Sequence, residues 1–344
     1  MTELNRLVEK IFQLEILKDK PPLLIDVGAS GIIHPDWEII SKHSVCIAFD
    51  ADQRATDSIE KDETDFLKKI TMSKIVAENV NQDQCKDFYL TDAVYCSSSL
   101  KPNNEKLKKW EFSKLFHIKE KTRLPATTLT QTIDQVGYDY VDWLKFDTQG
   151  TDLRIYESLP LKIQKQILAL DFEPGIIDAY EGEDKLFNVM TKMEKQPYWL
   201  SSMTIRGSHR INNLKKEFEP QNIYKNIATS PGWAELTYLN TLESDASKRD
   251  LLLGWLFATI MKQHGFAFEL ADKGMNKTNK EIFKELKYYS KNCIDFNKPV
   301  KPRWISYVTK RISNPLRKLL TYLENNTNDY KWISPEERSL VKKE

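Results

Sequence analysis

The chain has 344 residues, of which 40% are hydrophobic and 11% aromatic, a composition typical of a folded globular protein. Its 51 basic and 50 acidic residues give a net charge of +1, which argues against nucleic-acid binding through bulk charge. The four cysteines lack the spacing of metal ligands, so we expect reduced thiols and a cytoplasmic protein. The longest apolar stretch, residues 251–261, is too short to span a bilayer.

The first predicted elements are a helix and a strand. Residues 1–20 show apolar side chains at helical spacing, and Pro21 and Pro22 end this helix. Residues 23–31 then form a short apolar run that enters a turn of small residues. A buried parallel strand has such a continuous apolar run, and glycines in the turn allow the backbone to approach a ligand. In a doubly wound α/β domain, ligands bind beyond the carboxyl end of this strand.

The second predicted strand, residues 45–49, ends at an acid, Asp50. A carboxylate at this place can accept hydrogen bonds from both hydroxyls of a ribose, in NAD-binding and in S-adenosylmethionine-binding domains. The spacing Gly28-x-x-Gly31 differs from the G-x-G-x-x-G of a dinucleotide site. Asp26 also suits a ligand with a positive sulfonium better than one with two phosphates. These residues favour S-adenosylmethionine; a strand and turn that bind no ligand is the alternative.

Strands and helices continue to alternate through residues 21–210, which we predict to be one Rossmann-like, doubly wound domain with helices on both faces of a mostly parallel sheet. The remaining predicted strands are residues 75–80, 86–95, 140–147, 167–173 and 198–206. The predicted helices are residues 36–43, 52–69, 128–136, 155–159, 163–166 and 184–195.

The pattern changes after residue 230, where we predict a helical C-terminal region over 230–344. Helical periodicity covers residues 233–242, 248–263, 277–289 and 304–323, with no strand predicted between them. Residues 298–322 carry basic side chains beside an apolar face and no acid. Such a helix can make weak peripheral contact with an anionic membrane, although a helix docked on the domain explains the same pattern.

Several sequence blocks together resemble the FkbM-type S-adenosylmethionine-dependent methyltransferases. The resemblance covers roughly residues 23–206, and its most specific part is VDWLKFDTQG, which resembles the family pattern V-D-hydrophobic-hydrophobic-K-hydrophobic-D-x-x-G. The blocks are IDVGAS (25–30), AFDAD (48–52), CSSSL (96–100), TTLTQTID (127–134), VDWLKFDTQG (141–150) and LDFEPGIIDAYEGEDKLF (170–187). CSSSL and EGEDKLF resemble members associated with surface polysaccharides and secondary metabolites.

This resemblance implies a class I methyltransferase sheet and O-methylation of a sugar, glycan or small-molecule hydroxyl, as in polysaccharide biosynthesis. It implies that Asp26 and the glycine turn line the cofactor, that Asp50 holds its ribose, and that Asn79 and Val80 flank its adenine. The implied cofactor site comprises Asp26, Gly28, Ala29, Ser30, Gly31, Asp50, Ala51, Asn79 and Val80.

Methyl transfer to a hydroxyl also needs a group that removes the proton. Asp147 ends a strand where this fold usually places its catalytic group, and Glu173 ends the next strand. His34 follows the glycine turn and could reach a substrate. The alternatives are a helix N-cap for Asp147, a turn-stabilising acid for Glu173 and a surface histidine for His34. A divalent cation could instead acidify the hydroxyl, but the sequence names no ligands for one.

Two other functions compete with a methyltransferase. An NAD(P)-dependent oxidoreductase would use the same ribose-binding acid, and a non-catalytic partner subunit could keep the fold without binding a nucleoside. Nucleic-acid methylation is disfavoured because the chain lacks an Asn/Asp-Pro-Pro-Tyr/Phe run.

Overall fold

The structure, a computed structural model, describes residues 2–29, 33–52, 54, 64–211, 227–243, 245–277 and 280–295. Within these ranges the chain forms a seven-stranded sheet and a smaller three-stranded sheet. The strands are β1 (Leu23–Val27), β2 (Val45–Phe49), β3 (Lys68–Met72), β4 (Ile75–Val76), β5 (Cys85–Thr91), β6 (Ile118–Thr127), β7 (Trp143–Phe146), β8 (Ala169–Phe172), β9 (Tyr198–Ser208) and β10 (Ser230–Asn240).

The large sheet has the strand order β3-β2-β1-β7-β8-β10-β9. Strand β1 pairs in parallel with both β2 and β7, so the strand order reverses direction between β1 and β7. In open α/β sheets, ligands bind at the carboxyl ends of the strands at such a switch point. Strand β10 runs antiparallel to both of its neighbours, β8 and β9. The described sheet is therefore mostly parallel, with one reversed strand near its edge.

Helices cover both faces of this sheet, as predicted. The described α-helices are α1 (Glu3–Phe12), α2 (Glu15–Lys18), α3 (Asn104–Leu107), α4 (Leu129–Gln135), α5 (Asp152–Ser158), α6 (Leu161–Gln166), α7 (Leu186–Met193), α8 (Lys248–Ile260), α9 (His264–Lys277) and α10 (Lys280–Asp295), with 3₁₀ helices at Pro35–His43, Val94–Cys96 and Glu111–Phe116. Capping boxes begin α4 at Thr128 and α8 at Ser247.

The two faces have separate cores because side chains alternate along each strand. On β1, Leu24 packs into a core with α1, α8, α9 and α10. Leu23, Ile25 and Val27 face the opposite core, which contains α4 to α7. The doubly wound α/β architecture is thus confirmed at the level of a mixed sheet between two helical layers.

The structure departs from the predicted elements in three places. The third strand of the large sheet is residues 68–72, not 75–80, and only residues 75–76 form a strand, in the small sheet. Strand β6 was not predicted. Residues 230–240, where we predicted a helix over 233–242, form β10, in which buried Ala234, Leu236 and Tyr238 alternate with partly exposed residues.

The helices after β10 are part of the same packed body as the sheet. Arg6 and Lys10 on α1 form ion pairs with Glu285 on α10, and both helices contribute to one core. No helix in the described ranges is both long and apolar enough to cross a membrane. The predicted helix over 304–323 and the basic stretch 298–322 lie outside the described residues.

Candidate active site

The carboxyl ends of β1, β2 and β7 border one cleft at the switch point of the sheet. We call it the strand-end cleft; it has about 520 Å³ of empty space, including the part open to solvent. Of the predicted site residues, Gly28, Asp50, Ala51 and Asp147 line it. The fold therefore brings together the acids that end β2 and β7 with the glycine turn that ends β1.

Gly28 is required by the close approach of β1 and β7. Its φ of +88° lies in the left-handed region, and a Cβ here would lie 2.0 Å from the backbone oxygen of Asp147. The backbone N–H of Asp147 donates to the Val27 carbonyl at 2.8 Å, and the Gly28 N–H donates to the Phe49 carbonyl at 2.9 Å. This turn therefore ties the ends of three strands together at the base of the cleft.

Two acids follow β2, and they have different partners. The Asp52 carboxylate accepts from Arg54 Nε at 2.9 Å and from the Ser97 hydroxyl at 3.2 Å. Asp50 accepts the Asp52 backbone N–H at 2.8 Å on Oδ1. Arg54 thus neutralises Asp52, and both acids line the strand-end cleft.

Asp26 lies beneath the cleft rather than in its lining. The side chain is fully buried, and its Oδ1 accepts from Lys145 Nζ at 2.8 Å. These two residues are neighbours in the parallel register of β1 and β7. Burial alone would lower the pKa of Lys145. The carboxylates of Asp26 and Asp147 have a larger, opposite effect, so the pKa of Lys145 is raised overall. Lys145 therefore neutralises Asp26, a partner that the sequence did not indicate.

Asp147 and Glu173 end adjacent strands and influence each other's ionisation. Burial raises the pKa of Asp147 to about 6, although the nearby Lys145 opposes the shift. Burial and repulsion from Asp147 raise the pKa of Glu173 well above its ordinary value. At neutral pH, Asp147 is therefore mainly ionised, and the pKa of Glu173 is raised in part by the charge of that carboxylate. Carboxyl pairs whose pKa values are pushed apart can divide acid and base roles.

Asp152, which sequence analysis missed, joins the loops that carry these two acids. It is almost fully buried, and it accepts the backbone N–H groups of Thr148 at 3.1 Å and of Glu173 at 2.8 Å. Burial raises its pKa. The signal in the sequence was an acid in the first turn of the helix after Gly150, but its second partner is distant in sequence.

His34 caps the 3₁₀ helix that begins at Pro35. Its Nδ1 accepts the Asp36 backbone N–H at 3.3 Å, and its ring packs against Trp37 and Trp143. The Nε2 atom lies 3.9 Å from a carboxylate oxygen of Asp171. His34 thus lies on the sheet face that carries Asp26 and does not line the strand-end cleft.

The other predicted cofactor residues are dispersed. Ala29 is buried, Asn79 is exposed, and Val80 packs against the apolar cluster of the small sheet. Ser30 and Gly31 lie outside the described residues. The apolar lining of the strand-end cleft includes Ile75, Val76 and Phe88, which sequence analysis did not assign to the site.

Comparison with known proteins adds no functional assignment. No protein-family model matches the chain, and a search of curated proteins finds no match. Within the described ranges, no group of three or more His, Cys, Asp and Glu side chains is arranged to hold a metal ion. The function must therefore be inferred from the cleft itself.

Proposed function

We propose that this protein is an S-adenosylmethionine-dependent O-methyltransferase of the FkbM type. The observation that carries the proposal is the strand-end cleft, which places Asp50, the Gly28 turn and Asp147 around one space at the switch point. These residues fit the nucleoside: Asp50 can accept both ribose hydroxyls, and the wall of Ile75, Val76 and Phe88 can pack against adenine.

The start of the 3₁₀ helix after β1 disfavours NAD. A dinucleotide site places pyrophosphate at a helix N-terminus, where backbone N–H groups attract negative charge. Here Pro35 lacks that N–H, His34 accepts the N–H of Asp36, and Asp36 and Glu38 add negative charge to the first turn. The order β3-β2-β1-β7-β8-β10-β9, with β10 antiparallel to its neighbours, also departs from the usual dinucleotide-binding strand order.

Asp147 is the residue we assign to proton removal. When bound, S-adenosylmethionine supplies an electrophilic methyl group on a positively charged sulfur. The Asp147 carboxylate accepts the proton of the acceptor hydroxyl as that oxygen attacks. Its pKa of about 6 keeps it ionised at neutral pH while leaving it basic enough to hold a proton, which is the balance that general-base catalysis needs.

The charges around the acids favour a neutral acceptor. Glu173 adds a second carboxyl group beside Asp147, and its pKa is raised by burial and by that neighbour. Arg206, whose charge interacts with Glu173, is already held by both carboxylate oxygens of Glu235 at 2.8 and 3.2 Å. An anionic acceptor would therefore meet carboxyl groups and an arginine that is engaged elsewhere. We propose a hydroxyl of a sugar, glycan or secondary metabolite as the acceptor.

Calorimetry with S-adenosylhomocysteine and NAD in parallel tests the proposal. We expect S-adenosylhomocysteine to bind and Asp50→Ala to weaken this binding by about 1–3 kcal/mol, the scale for a hydrogen bond to a charged group. Asp134→Ala, an exposed acid on α4, is the matched control and should bind normally. Tight NAD binding without a response to S-adenosylhomocysteine would favour the oxidoreductase, and no binding of any S-adenosyl ligand would favour a non-catalytic subunit.

A further inference from the structure

Gln149, two residues after Asp147, has an unusual backbone conformation. Its φ is +58°, which is uncommon for a residue other than glycine. The Ser98 hydroxyl donates to the Gln149 carbonyl at 2.9 Å, and this contact helps to hold the turn. Backbone outliers that the surrounding structure stabilises often occur at functional sites.

The side chain of Gln149 joins Asp147 to a buried tyrosine. Its Nε2 donates to Asp147 Oδ1 at 2.6 Å, and its Oε1 accepts from the Tyr180 hydroxyl at 3.0 Å. The Tyr180 hydroxyl also lies 2.8 Å from the Cys96 carbonyl oxygen. Tyr180 is 4% exposed, and its ring packs edge-on against Phe116. The left-handed turn thus aims the amide of Gln149 at the proposed base.

The number of protons in this chain of contacts depends on the state of Asp147. A phenol has one proton, so with Asp147 ionised the Tyr180 hydroxyl must serve both Gln149 Oε1 and the Cys96 carbonyl. If Asp147 is protonated and the amide turns by 180°, Asp147 can donate to Oε1. Nε2 can then donate to the tyrosine oxygen, and the tyrosine proton can go to Cys96. The single tyrosine proton is therefore shared between two acceptors in the ionised state and has one acceptor in the protonated state.

We infer that Gln149 is a positioning residue for Asp147, and that its amide, guided by Tyr180, changes orientation when Asp147 gains or loses a proton. The positioning of Asp147 by Gln149 is argued from the geometry of the turn and its hydrogen bonds alone. The part that Gln149 plays in methyl transfer rests on the proposed function. When Asp147 is ionised, the amide N–H holds the carboxylate in position to accept the proton of the acceptor hydroxyl. When Asp147 is protonated, the amide oxygen accepts a hydrogen bond from it.

Other charged groups also act on Asp147, and the test must leave them in place. Lys145 lies on the same strand, Asp26 on β1, Asp152 on α5, and Glu173 at the end of β8. None of these side chains is altered by a change at position 149. A shift in the titration of Asp147 after such a change therefore reports the loss of the amide contact.

The experiment follows the titration of Asp147 in the full chain by carbon NMR of aspartate labelled at the carboxyl carbon, without added ligand. Gln149→Met keeps the length of the side chain but removes the amide. Gln149→Asn keeps an amide and tolerates the left-handed backbone, but it is one methylene too short to reach Asp147. Gln135→Met, an exposed position at the end of α4, is the matched control.

We expect both Gln149 variants to raise the titration midpoint of Asp147 by about one pH unit, a tenfold change in proton affinity, because the ionised form loses a charge-assisted hydrogen bond, which is stronger than the neutral hydrogen bond that the protonated form loses. The control should titrate like the wild type. Folded Gln149 variants with an unchanged Asp147 midpoint would overturn the inference.

A second measurement needs no variant. In the wild-type chain, the chemical shifts of the Gln149 side-chain amide should change with pH at the same midpoint as Asp147. Amide chemical shifts that do not change at this midpoint would overturn the inference. Both readouts are independent of nucleoside binding. A chain that shows the coupled titration but binds no S-adenosyl ligand would leave the inference standing and reject the proposed function.

Discussion

The pKa of Asp147 is raised by burial and lowered by the positive charge of Lys145. Its proposed role as a general base predicts how the reaction rate depends on pH. Since a general base acts in its ionised form, kcat/KM should fall as the pH drops through about 6, the pKa of this carboxyl. Asp147→Asn should lower kcat by about 10²–10⁴-fold, the usual contribution of general acid–base catalysis, while the affinity for S-adenosylhomocysteine stays within about twofold. Asp134→Asn is the control. Unchanged turnover in Asp147→Asn, measured with a radiolabelled methyl donor, would remove Asp147 from the mechanism.

Glu173 makes a prediction about stability rather than rate. Burial and the charge of Asp147 raise its pKa in the folded chain, so between the unfolded and folded pKa values the native state holds a proton that the unfolded state has released. Raising the pH through that range therefore favours unfolding, by up to about 1.4 kcal/mol per pH unit. Glu173→Gln removes this titration.

Urea denaturation of wild type and Glu173→Gln from pH 5 to pH 9 measures this effect. The free energy of unfolding of the wild type should decline relative to that of the variant as the pH rises. Two curves that stay parallel over this range would show that Glu173 ionises normally in the folded chain.

At the scale of elements, the junction between β1 and β7 depends on Gly28. Gly28→Ala should lower the free energy of unfolding by more than about 2 kcal/mol, because a left-handed residue with a Cβ costs about 1–2 kcal/mol and the new methyl would collide with the Asp147 backbone. Gly137→Ala is a matched control: its φ is +82°, and a Cβ there meets nothing within 4 Å. Both free energies of unfolding are measured by denaturation. Equal decreases in the two variants would show that the collision between the new methyl group and the Asp147 backbone costs no stability.

The central strands could be predicted because helices cover both of their faces, which leaves continuous apolar runs in the sequence. The edge strand β3, Lys-Lys-Ile-Thr-Met, is half exposed and has no such run. In β10, the alternation of Ala234, Leu236 and Tyr238 was a strand signal, but Trp233 and Leu239 beside them resembled a helical repeat. Elements with one solvated side or mixed periodicity therefore gave the errors.

The same limit applies to the candidate site. Asp50 and Asp147 could be predicted because a strand end is visible in the sequence and parallel strands end at one edge of the sheet. The partner of Asp26 could not, because it depends on the register of β7 against β1. Tyr180 contacts Gln149 from 31 positions away, and no local pattern indicates such a contact.

At the scale of the whole molecule, α8 is tied to the amino ends of the central strands, opposite the strand-end cleft. Arg249 on α8 donates to both carboxylate oxygens of Asp142 at 2.7 Å, and both side chains are almost fully buried. Asp142, which precedes β7, also accepts the Leu23 N–H at 2.9 Å. This ion pair therefore connects α8 to the starts of β1 and β7, and it explains the first acid of the VDWLKFDTQG block.

Removing one member of this pair should be costly. Arg249→Met should lower the free energy of unfolding by about 3–5 kcal/mol, since it leaves a buried carboxylate without its partner. Combining it with Asp142→Asn should recover part of this loss, because no buried charge remains. Thermal and urea denaturation measure both effects. A single variant within about 1 kcal/mol of the wild type would contradict a structural role for the pair.

The most direct test of the proposed nucleoside site is a crystal structure of the chain grown with S-adenosylhomocysteine. We expect the nucleoside in the strand-end cleft, with its ribose hydroxyls about 2.6–3.2 Å from the Asp50 carboxylate and its sulfur facing Asp147. A structure with the ligand bound elsewhere, or with the cleft filled by the protein's own side chains, would contradict it.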